Sequence, residues 1–323
     1  MGISGDGQYV GIFKAGANSI IEYNEVEHTG YHGIWFTGDN TIVRFNYVHH
    51  FLLNKSDGGG IYAYGKTGVN RQVYRNIVHD GLGDRFGLGE KEHPYSAQVH
   101  GIYMDGNTTG VTISENTCFN NNHSGIWLGS NGEITVSDNT LFNNKVAQLK
   151  GVDNERTYTK INIANNLLVA KEKGSLLLSF NISPESMAAI IMDKNYFSRP
   201  VWQPERIRGA KGYSKVPFEW DSYHDGGTVE TRQTFHSLDE WKKLSGKDAS
   251  TRIINSPGGA VLLMRLEYNP GKQPLKVQLK GEYSDASGKL LRGEIIIPPY
   301  GSKLLFSPAF SPVAPGSLQL RKS

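Results

Sequence analysis

Two aspartates in related sequence contexts are the residues best suited to acid–base chemistry. Asp57 opens the segment Asp57-Gly-Gly-Gly-Ile-Tyr62, and Asp105 closes the segment Gly101-Ile-Tyr-Met-Asp105. Cleavage of a glycosidic bond needs two carboxyl groups, one protonated to release the leaving group and one ionised to attack or to activate water. We therefore predict that Asp57 and Asp105 are catalytic and face one groove, with the glycines leaving room for a ligand. An aspartate that caps a turn is the alternative for Asp57.

An aromatic residue recurs beside these aspartates in the unit Gly-Ile-aromatic. Because side chains alternate in direction along a strand, burying each isoleucine directs each ring to the opposite face. We predict a solvent-facing column of rings that contacts sugar. Rings that only stabilise a sheet are the alternative. The column contains Phe13, Trp35, Tyr62, Tyr103 and Trp127, and Tyr64 lies two residues beyond Tyr62.

Histidines cluster in the same part of the chain. His32 and His100 each directly precede a Gly-Ile-aromatic unit, so we expect them to flank the groove and to bond sugar hydroxyls or tune a carboxylate. No two histidines stand at a recognised zinc-ligand spacing with a third partner. We predict neither a metal site nor a cofactor.

A repeat centred on asparagine predicts the elements that position these residues. Its copies read apolar, any, any, Asn, any, apolar, around Asn24, Asn46, Asn76, Asn116, Asn139, Asn166 and Asn195. This pattern predicts an all-β, right-handed parallel β-helix in which coils stack about 4.8 Å apart and the asparagines are structural. Length varies almost entirely between an asparagine and the next glycine. Insertions at this edge tend to line a functional face, so Arg85 and Glu90 are predicted to bind substrate.

The repeat ends near residue 198, which divides the chain. We predict a parallel β-helix over 1–198, an irregular connector with one short helix over 199–250, a small antiparallel, sandwich-like β domain over 251–310 and a tail over 311–323. The helix is expected to start at Ser237 and to end near Gly246.

The composition of the chain limits the classes of partner that the protein is expected to bind. A net charge of +3 without a Lys/Arg stripe gives nucleic-acid binding little support. No apolar run is long enough for a membrane span. The single cysteine, Cys118, is expected to be a buried thiol. We expect a secreted, periplasmic or cell-surface protein whose export signal is not in this sequence, and whose first coil is covered by upstream sequence or by a second copy.

The two aspartate segments, each followed by an asparagine-centred coil, resemble bacterial β-helix carbohydrate-active enzymes, especially glycoside hydrolase family 141. The segment from Leu238 to Asp248 and the stretches around Leu266–Asn269 and Pro299-Tyr300 are similar to the downstream regions of such proteins. The resemblance implies that a pair of aspartates is catalytic, and Asp57 and Asp105 are the matching positions.

Three functions remain open at this point. A glycoside hydrolase acting on a plant or algal polysaccharide, or on oligosaccharides from one, is the leading hypothesis. A polysaccharide lyase is the second, with a histidine or tyrosine as base. A non-catalytic carbohydrate-binding surface module is the third. The lyase needs a cation that neutralises a uronate, and the candidates are Lys66, Arg71, Arg75 and Arg85.

Overall fold

Short parallel strands stacked coil upon coil form most of the chain. The computed structural model describes residues 9–65, 68–83, 98–153, 156–172, 174–199, 207–209, 234–254 and 263–307. Three long sheets, named A, B and C, form the walls of a solenoid. The predicted all-β class and parallel β-helix are therefore confirmed.

The elements are numbered β1 to β30 and α1 to α2 in chain order. Sheet A contains β1 (Ile12–Lys14), β4 (Ile34–Phe36), β7 (Gly58–Ala63), β10 (Val99–Met104), β13 (Ser124–Gly129), β16 (Ala147–Val152), β19 (Leu176–Asn181), β22 (Ile207–Gly209) and the antiparallel β23 (Thr234–His236). Sheet B contains β2 (Ile20–Glu22), β5 (Ile42–Arg44), β8 (Arg71–Tyr74), β11 (Thr109–Ser114), β14 (Gly132–Ser137), β17 (Thr159–Ala164) and β20 (Ile190–Asp193). Sheet C contains β3 (Glu25–Glu27), β6 (Tyr47–His49), β9 (Ile77–His79), β12 (Thr117–Phe119), β15 (Thr140–Phe142), β18 (Leu167–Val169), β21 (Tyr196–Ser198) and β24 (Arg252–Ile253).

The repeated asparagines form a column, here called the asparagine column, at the bend between sheets B and C. Each side-chain nitrogen donates to the side-chain oxygen of the asparagine in the next coil, over 2.9 to 3.1 Å. The Asn46 nitrogen also lies 2.9 Å from the carbonyl oxygens of Ile21 and Arg44, which share its remaining N–H. These bonds satisfy buried bend carbonyls that would otherwise lack a donor. The predicted structural role is confirmed.

Aliphatic residues fill the solenoid interior. Ile34, Ile61 and Ile102 are in register on sheet A and fully buried, as the Gly-Ile-aromatic unit predicts. Cys118 is buried and unbridged, and burial raises the pKa of its thiol. The expected inert, buried cysteine is thus confirmed.

Two small antiparallel sheets follow the solenoid, as predicted. Sheet D contains β25 (Leu263–Tyr268), β30 (Ser302–Ser307), β27 (Tyr283–Ser284) and β28 (Leu290–Leu291), and sheet E contains β26 (Leu275–Gln278) and β29 (Glu294–Ile297). Sheet D packs on the outer face of sheet C, where Tyr268 contacts Phe119 with 5.1 Å between ring centroids. Ser302 Oγ lies 2.6 Å from Thr117 Oγ1 in the same contact.

Two helices complete the described elements, α1 (Pro184–Ala188) and α2 (Leu238–Ser245). Helix α2 has the predicted Ser237 cap and ends at Gly246 in the left-handed conformation, with φ of 69°. Its Trp241 is fully buried and packs against Phe180 in the interior. Strands β22 and β24 continue sheets A and C beyond residue 198, while the proposed domain boundaries stay a prediction. Neither helix is long and apolar enough to cross a membrane, as judged over the described residues.

Candidate active site

The predicted column of rings lies on the outer face of sheet A, where each coil contributes one residue in register. Its cluster of rings is separate from the cluster that fills the solenoid interior. The sequence therefore predicted the correct side of the sheet. From the first coil onward the register column is Phe13, Trp35, Tyr62, Tyr103, Trp127 and Lys150.

The middle of this column is covered, which corrects the predicted solvent-facing platform. Tyr62, Tyr103 and Trp127 are only 8%, 5% and 8% exposed. Neighbouring rings cover one another, since Tyr62 meets Tyr103 edge-on at 5.2 Å between centroids and Tyr103 stacks on Trp127 at 4.9 Å. Among the predicted sugar contacts, Trp35 is half-buried and Tyr64 is 50% exposed. Of the predicted ring contacts, Phe13, which is 59% exposed, and Tyr64 are the most open to a ligand.

The glycines after Asp57 make room for protein atoms, which corrects the predicted space for a ligand. A Cβ on Gly58 would lie 2.8 Å from His32 Nδ1, and a Cβ on Gly59 would lie 2.9 Å from Tyr103 Cβ. Both distances are too short for a side-chain carbon, so glycine is required for this close approach of backbone to ring. The two glycines therefore let His32 and Tyr103 approach the Asp57 segment.

His32 lies beneath the rings, which corrects its predicted contact with sugar. It is 1% exposed, and its imidazole stacks on Tyr62 with 3.8 Å between centroids. The Gly59 N–H donates to His32 Nδ1 at 3.2 Å, so the proton of the neutral ring is on Nε2. Burial lowers the pKa of His32 to about 3. His32 is therefore a neutral support for the Tyr62 ring.

His100 takes the corresponding buried place two strands along the sheet, and its predicted sugar contact is corrected in the same way. It is fully buried and packs edge-on against Trp127 at 4.2 Å between centroids. Burial, and then the charges of His123 and Lys150, lower the pKa of His100 well below its ordinary value. A neutral imidazole in this position positions a ring and cannot reach a ligand in the groove.

Asp105 follows strand β10 and is half-buried. The Tyr62 hydroxyl donates to its Oδ2 at 2.8 Å, and the Gly106 N–H donates to its Oδ1 at 2.7 Å. Both carboxyl oxygens therefore act as acceptors, which is the arrangement that a carboxylate makes.

Asp57 precedes strand β7 and has a left-handed backbone, with φ of 63°. The residue as a whole is exposed, although neighbouring protein atoms desolvate its carboxyl group. Burial, and then the charge of Asp105, raise the pKa of Asp57 to about 6, and a hydrogen bond from Tyr103 opposes this rise. The Tyr103 hydroxyl lies 3.4 Å from Asp57 Oδ1. Near neutral pH the site thus holds an acid that is partly protonated beside a second carboxyl group.

Tyr31 also belongs to the site, although the sequence reasoning missed it. Its hydroxyl donates to the Asp57 carbonyl oxygen at 3.1 Å, and its ring lies 3.8 Å from the His32 ring. Burial, followed by the charges of Asp57 and Asp105, raises the pKa of Tyr31 to about 12. The available signal was its position directly before His32 and the Gly-Ile-Trp35 unit.

The remaining predicted residues do not join this group. Arg85 and Glu90, predicted to bind substrate, lie outside the described residues, as does Lys66. Arg71 is 1% exposed and lies over the interior ring of Phe36. Arg75 pairs with Glu115 at 2.7 Å on sheet B. Arg71 also donates to the Thr109 carbonyl, so both arginines are engaged with other protein groups.

Over the described residues, no group of three or more His, Cys, Asp or Glu side chains could hold a metal ion. A cavity of about 410 Å³ lies at the edge between sheets C and A, and neither Asp57 nor Asp105 lines it. Its lining residues are His50, Asp80, Leu82, Asn120, Asn122, Asn143, Lys145 and Glu172.

Comparison with known proteins agrees with this architecture. A family model described as "Right handed beta helix region" matches residues 3–168, slightly more than half of the 323-residue chain. The matched segment includes both aspartates and the whole ring column. No curated protein and no solved structure matches the chain. The family is compatible with polysaccharide-active enzymes and with binding modules.

Proposed function

The chain belongs to the right-handed β-helix family, and we propose that it is a glycoside hydrolase with Asp57 and Asp105 as its catalytic pair. Asp57 is the general acid, and Asp105 is the nucleophile or the base that activates water. The substrate is a plant or algal polysaccharide, or an oligosaccharide derived from one, and the protein acts outside the cytoplasm. The resemblance to glycoside hydrolase family 141 supports the same pair.

The observation that carries this proposal is the unlike environment of two neighbouring carboxyl groups. The pKa of Asp57 is raised to about 6 by burial and by the charge of Asp105, so Asp57 can hold a proton for the leaving group. Asp105 instead accepts two hydrogen bonds, one from the Tyr62 hydroxyl and one from the Gly106 N–H. Glycosidases divide acid and base roles between two carboxyl groups in this way.

The tyrosines of the site support hydrolysis over elimination. A lyase with a tyrosine base needs a phenol that loses its proton readily. Burial and the nearby aspartates instead raise the pKa values of Tyr31, Tyr62 and Tyr103. The two described arginine candidates for a uronate-neutralising cation have other partners, since Arg71 donates to the Thr109 carbonyl and Arg75 pairs with Glu115.

A panel of plant and algal polysaccharides, read for both reducing ends and ultraviolet absorbance, tests the proposal. We expect new reducing ends without absorbance from an unsaturated sugar ring. Absorbance would identify a lyase, and binding without either signal would identify a carbohydrate-binding module.

Asp105→Asn is the decisive variant. It should abolish release of reducing ends, since the amide can neither attack nor activate water, while oligosaccharide binding and the thermal unfolding midpoint stay near those of the wild type. Wild-type hydrolysis by this variant would contradict the assignment.

A further inference from the structure

The hydrogen bonds of the two acids cross between coils. Tyr62 stands in β7, the strand that Asp57 precedes, yet its hydroxyl donates to Asp105 at 2.8 Å. Tyr103 stands in β10, the strand that Asp105 follows, yet its hydroxyl approaches Asp57 Oδ1 at 3.4 Å. The two strands are direct neighbours, with Tyr62 opposite Tyr103. Each acid is therefore contacted by the tyrosine of the other coil. Tyr103 also bonds Asp105, the acid of its own coil.

Both aspartates also affect the pKa of the Tyr103 hydroxyl. Burial, and then the charges of Asp57 and Asp105, raise the pKa of Tyr103, and a hydrogen bond to Asp105 adds to the rise. Burial and Asp105 raise the pKa of Tyr62 in the same way. Both phenols consequently keep their protons and remain donors across the pH range in which the enzyme would work.

The rings of Tyr62 and Tyr103 are poorly placed to bind a sugar directly. Tyr62 and Tyr103 are 8% and 5% exposed and meet each other edge-on, so a sugar ring cannot stack on them. His32 supports the face of Tyr62, and His100 packs edge-on against Tyr103 at 4.8 Å between centroids. Rings fixed on several sides hold their hydroxyl groups at fixed points, which suits the orientation of a carboxyl group.

We propose that Tyr62 and Tyr103 are a crossed pair of positioning residues that orient Asp105 and Asp57, and that neither ring is a sugar-binding platform. This inference rests on the proposed catalytic role of the two aspartates. It replaces the substrate-binding role that sequence reasoning assigns to these tyrosines.

Tyrosine-to-phenylalanine variants separate the two roles, because phenylalanine keeps a ring and loses the hydroxyl. Tyr62→Phe and Tyr103→Phe should each lower kcat by about 10- to 100-fold, the effect of removing a hydrogen bond to a charged group, with KM changed little. Tyr74→Phe is the matched control, since its hydroxyl accepts from Arg44 on the distant sheet B at 2.7 Å. Wild-type kcat in both site variants would overturn the proposal.

The pH dependence provides a readout that a purely structural role would not move. The Tyr103 hydrogen bond lowers the pKa of Asp57, so Tyr103→Phe should raise that pKa above about 6 and shift the basic limb of the kcat/KM profile to higher pH. Carboxyl-carbon NMR titration of Asp57 measures the same shift without turnover. The titration therefore tests the inference even where the polysaccharide panel rejects hydrolysis. An unchanged Asp57 titration in Tyr103→Phe would overturn it.

Discussion

The outer faces of sheets A and C carry similar residues, but the pKa of an aspartate is shifted in opposite directions on the two faces. Both present rings, buried histidines and an aspartate. On sheet C, His79 bonds Asp80 Oδ2 at 2.8 Å and the Tyr47 hydroxyl at 3.0 Å, and sheet D covers the surface. Burial alone would raise the pKa of Asp80, but the hydrogen bond and charge of His79 lower it. On sheet A, the pKa of Asp57 is raised.

The two pKa values shift in opposite directions because the groups beside the two aspartates differ. Asp80 has an imidazole beside it and is held as a carboxylate. At Asp57, burial and the charge of Asp105 both raise the pKa, so this group retains a proton to higher pH. A histidine-rich aromatic surface therefore does not by itself identify an active site. A carboxyl group with a raised pKa next to another carboxyl group is the more specific indication.

The largest expected effect is on turnover. Asp57→Asn should lower kcat by about 10²- to 10⁴-fold on substrates with poor leaving groups, because the amide cannot donate the proton. Asp80→Asn is the matched change on sheet C and should leave kcat near the wild-type value. Initial rates on a substrate from the polysaccharide panel decide the comparison, and equal losses in the two variants would remove the distinction between the faces.

The next largest effect is on the free energy of unfolding, and here the larger loss is expected on sheet C rather than on sheet A. Phe119→Ala on sheet C should cost about 3 to 5 kcal/mol of the free energy of unfolding, because the 6% exposed ring packs between His79 and Tyr268. Phe13→Ala on sheet A removes a ring that is 59% exposed and should cost less than about 1 kcal/mol. Urea unfolding of both variants measures the difference. Similar losses would mean that sheet A is as tightly packed as sheet C.

The smallest effect is an opposite pH dependence of stability. Since the pKa of Asp57 rises from 3.8 to about 6 on folding, the folded protein loses stability as the pH increases through that window. Asp57→Asn should therefore raise the thermal midpoint at pH 7 and change it little at pH 3.

Asp80 should respond with the opposite sign. Its lowered pKa means that its carboxylate stabilises the fold above its ordinary pKa, and that this contribution disappears as the pH falls through the lowered value. Asp80→Asn should thus lower the midpoint at pH 7, an effect that fades in acid. Thermal unfolding from pH 3 to 7 tests both variants, and shifts of the same sign at pH 7 would contradict the assigned environments.

Periodic features of the fold could be predicted from sequence. The asparagine column and the buried isoleucines repeat once per coil, so stacking order alone determines their neighbours. The same reasoning placed the rings on the outer face of sheet A. It could not predict their burial, because glycines such as Gly59 let histidines and rings approach the backbone more closely than an ordinary strand allows.

Contacts set by side-chain rotamers or by distant sequence were beyond prediction. Tyr62 and Tyr103 occupy equivalent register positions, yet the Tyr62 hydroxyl donates to Asp105 while the Tyr103 hydroxyl also reaches Asp57, a difference that the repeat pattern does not encode. Tyr31 carries no motif of its own. The cover over sheet C joins Tyr268 to Tyr47 and Phe119, residues far apart in the chain with no shared pattern.

The asparagine column also has an electrical direction. Every rung donates from its nitrogen toward the following coil, so the amide dipoles align and their partial charges add, as in an α-helix. The positive end of this row is at Asn195, whose nitrogen donates to Asp248 Oδ1 at 3.2 Å. The side-chain dipoles of the asparagine column therefore point in one direction, and their positive end contacts the buried carboxyl group of Asp248.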